Sequence, residues 1–396
     1  MEFLMRQRRR FQATQALQMG RAVVGLSGMI LVGTSLAQPE QWLEYHTTPE
    51  PQGYRWLELS TNAPPGVPLP KLQTTAYYGR WTNGLEDAGG RWFCLDRSRR
   101  SGPCDRIFFD ANGNGRLDDE TPVTANRRDE NMAYFEAVKV VFKGEDGPIS
   151  YHLLARYFQF DKEDARLLVG AGGEYGGNVI LGDKKRRIRL VDNTVNGTFN
   201  DVGTDPDASD RITIEGEQGF SRYLGRYVEV DGRLLQLEVA RDGAFLKVKP
   251  AEGVTFGTVR VPETISEFTA VGEMGHFIRK PDQGQFKLPV GKYRAYAWEI
   301  GRKDDKGAGW KLSAYSAGPA GDFTVESSQA TPLSVGEPVY AAVEVVEAKR
   351  DLQFSLRLLG QLGESIQILR GTERPRAPQL QVAGDGFQAT RNFEYG

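Results

Sequence analysis

The stretch "YVEVDGRLLQLEVARDGAFLKVKP" (Tyr227 to Pro250) decides the fold class. Two Asp-Gly pairs interrupt three runs in which apolar and polar residues alternate. Asp-Gly favours two-residue hairpin turns, and alternation at period two sets one face of each run on a core. The stretch therefore predicts a three-stranded meander. The same punctuation recurs on the C-terminal side. "DLQFSLRLL" alternates Leu352, Phe354, Leu356 and Leu358 with polar residues, which predicts a strand with that face on a core. "PQLQVAGDGFQATRNFEY" predicts a closing hairpin around Asp385-Gly386. No long segment has helical period. The chain is read as mainly β.

The N-terminus has a different character. Arg6, Arg8, Arg9, Arg10 and Arg21 precede the apolar run "AVVGLSGMILVGTSLA" (Ala22 to Ala37), and Ser35 and Ala37 supply small residues at −3 and −1 of a cleavage site. This is the pattern of a signal peptide over 1–37. The run is shorter than the ~20 apolar residues of a spanning helix, and no transmembrane segment is expected after cleavage. The expected location is secreted or periplasmic, in the cell envelope. Five of the 50 basic and one of the 52 acidic residues lie in 1–37, which leaves 45 against 51 and a net charge of −6. Such a balance does not favour nucleic acid as a partner.

Residues 38–75 contain "TNAPPGVPLP" and read as a Pro-rich leader or edge segment. Two domains are expected after it: a β domain over 76–252, and from 253 to 396 a β-sandwich. Cys94 and Cys104 bracket "CLDRSRRSGPC" and, in an oxidising compartment, are expected to form a disulfide.

The first of these domains reads as an internal repeat, with chance similarity of acidic β-turns as the alternative. Leu95-Asp96, Asp105-Arg106-Ile107 and Asp110 in one copy align with Val191-Asp192, Asp210-Arg211-Ile212 and Glu215 in the other. "GAGGEYGGN" (Gly170 to Asn178) reads as a flexible crossing between the copies.

Each copy carries one loop in which oxygen-bearing side chains alternate. In "DANGNGRLDDE" these are Asp110, Asn112, Asn114, Asp118 and Glu120, with Gly115 at the bend and the carbonyl of Arg116 turned inward. Calcium takes six to eight hard oxygens, and side chains at positions 1, 3 and 5 of a tight turn converge on one point. The second loop offers Asp192, Thr194, Asn196 and Asn200. Thr194 is a weaker ligand than Asn112, so the first loop is expected to be the stronger site. The alternative for both loops is a hairpin turn at Asn-Gly, which needs no metal.

The first loop resembles the opening nine positions of the EF-hand calcium loop. Thr121 stands where that family has a bidentate Glu, and the resemblance is to EF-like loops of the dockerin and thrombospondin type 3 kind. It implies bound Ca2+. In the second half, "GQFKLPVGKYRAYAWEI" resembles the strand pair of transthyretin-like and carboxypeptidase-regulatory-like sandwiches, where a Pro-x-Gly-x-Tyr turn leads into a core strand.

Two basic runs flank the loops: Arg97, Arg99 and Arg100, and Lys184, Lys185, Arg186, Arg187 and Arg189. They read as solvated strand edges rather than as a polyanion site. No zinc-protease helix, nucleophile elbow or phosphate loop occurs in the sequence. The reading is an exported calcium-binding protein with a binding or structural role, its partner a glycan or an envelope protein. The competing reading is a secreted glycan hydrolase whose acid and base hide among the acidic loops.

Overall fold

Alternation at period two becomes strands almost throughout. The computed structural model describes residues 39–394 apart from 87–88, 145–146, 162–163, 218–220 and 349–350. The basic and apolar segment 1–37 lies outside the described residues. Among these, Pro206–Ala208 and Gly318–Gly321 are short 3-10 turns and no α-helix occurs. No helix there is long and apolar enough to cross a membrane.

The deciding stretch folds as expected. Tyr227–Val230, Arg233–Val239 and Phe245–Pro250 form an antiparallel meander, and Gln41–Trp42 adds a fourth strand. The Pro-rich segment is not a detached leader. Its Glu44–Thr47 and Tyr54–Leu57 strands pair with Gly173–Leu181 and Ala165–Ala171 at the margins of two other sheets. "GAGGEYGGN" is likewise no flexible crossing, because it lies almost wholly in those last two strands. The glycines serve close approach: a Cβ on Gly173 would lie 2.1 Å from the Tyr45 hydroxyl.

Two meanders carry the same cross-strand pairing. In the first, Tyr77–Trp81, Arg91–Asp96, Arg106–Phe109 and Val123–Arg128 align Tyr77, Leu95, Ile107 and Val123 in one row. In the second, Gly173–Leu181, Lys184–Val191, Arg211–Ile214 and Arg222–Tyr223 align Tyr175, Leu190, Ile212 and Arg222. The carbonyl of Asp105 accepts from the N–H of Ala125, and that of Asp210 from Leu224, at 2.9 and 2.6 Å. The rows correct the alignment of the copies by one residue. Asp96 faces Arg106 as Val191 faces Arg211, so Asp96 matches Val191, and Asp192 lies beyond the strand end.

The inner faces of these strands share a core that includes Trp81, Phe93, Leu95, Tyr151, Leu190 and Phe199. A second core collects Phe268, Tyr293, Trp298 and Ile300. It lies between a three-stranded sheet (Phe256–Arg260, Gln285–Pro289, Thr331–Pro332) and an eight-stranded one. Tyr293, two residues after Gly291, is buried, and its hydroxyl donates to the Pro289 carbonyl at 2.7 Å.

Two further expectations fail. Cys94 and Cys104 are free thiols, not a disulfide. Cys94 faces a small cluster with Tyr78, Phe108 and Leu117, while Cys104 joins the main core beside Phe93 and Leu95. Side chains of successive strand residues point to opposite faces, and the two sulfurs are thus on opposite sides of the sheet. The apolar face of Asp351–Leu359 is not on a core along its length, since Leu352 is 59 % exposed and only Leu358 packs against the second core.

Candidate cation-binding loops

Both loops leave a strand whose apolar side chains are fixed in the core, and both fold into the same turn. The carboxylate at position 1 accepts from the N–H groups at positions 5 and 6. For Asp110 these are Asn114 and Gly115, both at 3.0 Å; for Asp192 they are Asn196 at 3.3 Å and Gly197 at 2.6 Å. The amide oxygen at position 5 accepts from position 7, Asn114 from Arg116 at 2.9 Å and Asn196 from Thr198 at 2.8 Å. The N–H at position 2 donates to a distant carboxylate, Ala111 to Glu120 at 2.8 Å and Asn193 to Asp210 at 3.0 Å.

Positions 4 and 6 have positive φ in both loops: Gly113 (73°) and Gly115 (77°), then Val195 (52°) and Gly197 (86°). A β-branched residue is strained there. Val195 is held because it is fully buried and its carbonyl accepts the Trp81 indole N–H at 2.7 Å. These angles remove the hairpin alternative. A two-residue I′ turn needs φ > 0 at Asn114 or Asn196, and neither has it. The strands flanking the second loop end at Val191 and resume at Arg211, so no return strand follows Asn196-Gly197 directly.

The first loop carries its own counter-charges. Arg116 pairs with Asp118 at 2.7 Å, and the Asn114 amide donates to Asp119 at 2.7 Å. Leu117 is fully buried and anchors the loop. Arg91, 2 % exposed, lies beneath it, donating to the carbonyls of Asp110 (2.9 Å) and Val141 (2.8 Å) and to both oxygens of Glu86. Burial raises the Glu120 carboxyl, and the Asp110 and Asp119 charges add to it.

The second loop gathers three carboxylates deeper in the protein. Asp192 and Asp210 are 0 % and 1 % exposed. Asp192 also accepts from the Tyr151 hydroxyl at 2.8 Å, and the Thr194 hydroxyl oxygen lies 3.2 Å from it. Half-buried Asp201 accepts from the Thr194 hydroxyl (2.8 Å) and the Asn196 amide (2.6 Å). The N–H of Asp201 donates to Asp210 at 2.8 Å. Burial pushes Asp192 up to about 6, with the Asp201 charge adding to it. Burial also drives Asp210 well above the carboxylate range, and Asp192 and Asp201 push it further. Expected ligand Asn200 is exposed, and Asp201 stands in its place. Asp201, Asp210 and Tyr151 were not legible as site residues. The Asp-Arg-Ile repeat marked Asp210, but nothing in the sequence marked its burial.

The first meander offers a contrast. Its strand acids Asp96 and Asp105 are buried, and each has an arginine: Asp96 pairs with Arg106, Asp105 with Arg128. Asp110 of the first loop is buried as well, and Arg91 reaches its carbonyl rather than its carboxylate. Burial alone would raise both carboxyls. For Asp96 the Gln73 and Arg97 N–H groups and the Arg106 and Thr74 side chains outweigh it, for Asp105 Ser98 and Arg128, and both are held below their usual range. Among the described residues no basic side chain lies within ion-pair distance of Asp192, Asp201 or Asp210. Arg211, the counterpart of Arg106, turns instead to the Gln52 carbonyl.

Among the described residues no three His, Cys, Asp or Glu side chains converge to hold a metal ion by themselves. The polar groups around Asp192 are a mixed set: the Thr194 hydroxyl oxygen lies 3.2 Å from it, while Asn196 turns its amide nitrogen to Asp201 and its amide oxygen to Thr198. The second basic run is not a strand edge, since Lys184–Val191 is interior to its sheet. Lys184 and Arg186 pair with Asp231 at 3.1 and 2.6 Å, and Arg189 with Glu174 at 3.5 Å. A small cavity beside His276 presents Glu217 and Glu229. Each is bonded to an arginine, Arg222 at 2.9 Å and Arg279 at 2.7 Å.

Comparison with protein-family models, with curated proteins and with solved structures gives no match.

Proposed function

We propose that this is an exported calcium-binding β protein with a binding or structural role, and that its principal ion belongs to the second loop. One observation carries the reading: Asp192 and Asp210 are buried beside Asp201 with no cationic partner among the described residues. Buried carboxylates that face one another stay ionised only if a positive charge joins them. The Asp192 and Asp201 carboxylates, the Thr194 hydroxyl and the Asn196 amide oxygen are hard donors of the kind calcium takes. Asp210 orders the loop through its backbone. A calcium ion there supplies charge neutralisation and cross-links the loop to the core. The first loop ranks second, because Arg116 already serves Asp118 and Asn114 serves Asp119. This reverses the order that ligand type alone suggests.

The test is thermal unfolding in chelator and in about 10 mM calcium. A dissociation constant in the roughly 10⁻⁴–10⁻³ M range of extracellular sites gives about 1.5–3 kcal/mol of stabilisation. Asp192→Ala removes most of the response and Asp110→Ala little of it. An unchanged melting temperature in the wild type rejects the reading.

For the partner, a glycan is the reading with support. Tyr54, Trp56 and Phe160 are 52, 49 and 56 % exposed on one sheet face. Phe158 packs between them, 5.5 Å from Trp56 and 5.8 Å from Phe160. Exposed contiguous aromatics mark interaction surfaces. Glu217 and Glu229 are tied to arginines, which favours binding over hydrolysis. Affinity electrophoresis in soluble polysaccharides tests it, with retardation expected for wild type and lost in Trp56→Ala.

A further inference from the structure

The C-terminal hairpin, Gln379–Gly384 with Phe387–Asn392, pairs with no other strand among the described residues. A lone two-stranded hairpin is marginal in water, so its side chains need a surface to cover. Its two faces differ. The rows Leu380–Arg391, Val382–Ala389 and Gly384–Phe387 make one face apolar with a basic end. Gln379, Gln381, Gln388, Thr390 and Asn392 occupy the other.

The apolar face does not rest on packed side chains. It borders a cavity of about 1160 Å³, whose far wall includes Phe354, Leu356 and Ile368. The two strands of that wall, Asp351–Leu359 and Ser365–Arg370, are paired only at Leu359–Ser365, and the divergence opens the space. The alternation in Asp351–Leu359 predicts an apolar face on a core, and in the structure Phe354 and Leu356 of that face line this chamber. Phe387 remains 59 % exposed on the hairpin side. Ligand sites are concave and mainly apolar, with a few polar groups that fix orientation. Here those groups are basic. Arg357, Arg374, Arg376 and Arg391 line the cavity, against two acids, Asp351 and Glu394.

We propose that this cavity binds a single-chain anionic lipid, its acyl chain between Phe354, Leu356, Val382 and Phe387 and its acid head at Arg376 and Arg391. The volume and the apolar walls suit a long hydrocarbon chain. The excess of arginine selects a negative head, since guanidinium groups bond carboxylate and phosphate oxygens through paired N–H donors. The chain supplies the surface that the hairpin otherwise lacks. This site is separate from the cation loops and does not rest on calcium binding.

Titration of the delipidated full chain with cis-parinaric acid, whose fluorescence rises in apolar surroundings, tests the proposal. Saturable one-to-one binding is expected, with displacement by oleate or lysophosphatidate; the better competitor tells whether a carboxylate or a phosphate head is preferred. Arg376→Glu combined with Arg391→Glu changes exposed positions only. It should weaken the better anionic competitor by about tenfold or more and leave oleyl alcohol within about threefold. Val382→Arg, with its fold checked by circular dichroism, should abolish probe binding. Absence of saturable binding overturns the proposal, as does equal loss for alcohol and acid in the double variant. A stable dimer by light scattering that binds no probe assigns the cavity to a second copy of the chain and overturns it too.

Discussion

Replacing Asp192 by Asn in protein kept calcium-free by a chelator reads the burial of this carboxylate directly. Burial lifts it from 3.8 to about 6. An acid raised in the folded state contributes stability that is complete below its unfolded pKa and lost as pH rises through its folded pKa. At pH 5 the folded preference for the proton is worth about 1 kcal/mol, approaching about 3 kcal/mol below pH 4. Asp192→Asn cannot take up that proton. The stability of wild type minus variant should therefore grow by about 1 kcal/mol between about pH 7.5 and 5. Asp210 acts in the same direction, because the variant removes one of the charges that raise it. The difference matters more than either curve. His276, which burial lowers to about 4, destabilises both proteins over this interval and cancels. Urea unfolding followed by tryptophan fluorescence at fixed ionic strength supplies both curves. In about 10 mM calcium the slope should flatten, since the ion competes with the proton for the carboxylate and already contributes about 1.5–3 kcal/mol at neutral pH. A flat difference in chelator would refute the reasoning, because Asp192 would then titrate as an exposed acid does.

His276 carries its own pH signature. Its folded pKa lies below the unfolded one, so stability present above pH 6.5 is lost as pH falls toward about 4, by up to about 3 kcal/mol, and His276→Gln should remove that loss in urea unfolding. Arg91→Met leaves the Glu86 carboxylate with the Asn83 amide alone and takes the guanidinium donor from the carbonyls of Asp110 and Val141. It should cost about 3 kcal/mol in the same assay, and a cost under about 1 kcal/mol would show that the first loop does not depend on it. Burial pushes Cys94 up to about 12 and Cys104 up to about 11. Both thiols should resist iodoacetamide near pH 8 in the folded protein and react in denaturant, as read by mass spectrometry; rapid labelling of the folded chain would contradict their burial.

What was legible follows from local chemistry. Asp-Gly turns and period-two alternation located the Tyr227–Pro250 meander and the C-terminal hairpin, because both signals act between neighbours in the chain. Asp-Arg-Ile marked two meanders whose rows now coincide at Leu95–Ile107 and Leu190–Ile212. The alignment still slipped by one residue at Asp96, since only the pairing partner across the sheet fixes the register. The turn shared by Asp110 and Asp192 was visible in the alternating oxygens, while the basis of the proposed ranking of the two loops was not. It depends on Arg116, Asp201 and Asp210, and on the depth at which Tyr151 and Trp81 hold the second loop, which is a tertiary property. Val195 in particular hides the likeness of the loops, standing at positive φ where the first loop has Gly113. The cysteines misled for a related reason: closeness in sequence says nothing about which face of a sheet each sulfur takes.

A crystal structure of the protein grown in calcium, with anomalous data collected at long wavelength, tests the central claim most directly. The account predicts an anomalous peak at the second loop, with six to eight oxygens at about 2.3–2.6 Å drawn from Asp192, Thr194, Asn196, Asp201 and solvent. The Thr194 and Asn196 contacts to Asp201 should be replaced by contacts to the ion. No peak, with Thr194 and Asn196 still bonded to Asp201 at saturating calcium, would contradict it.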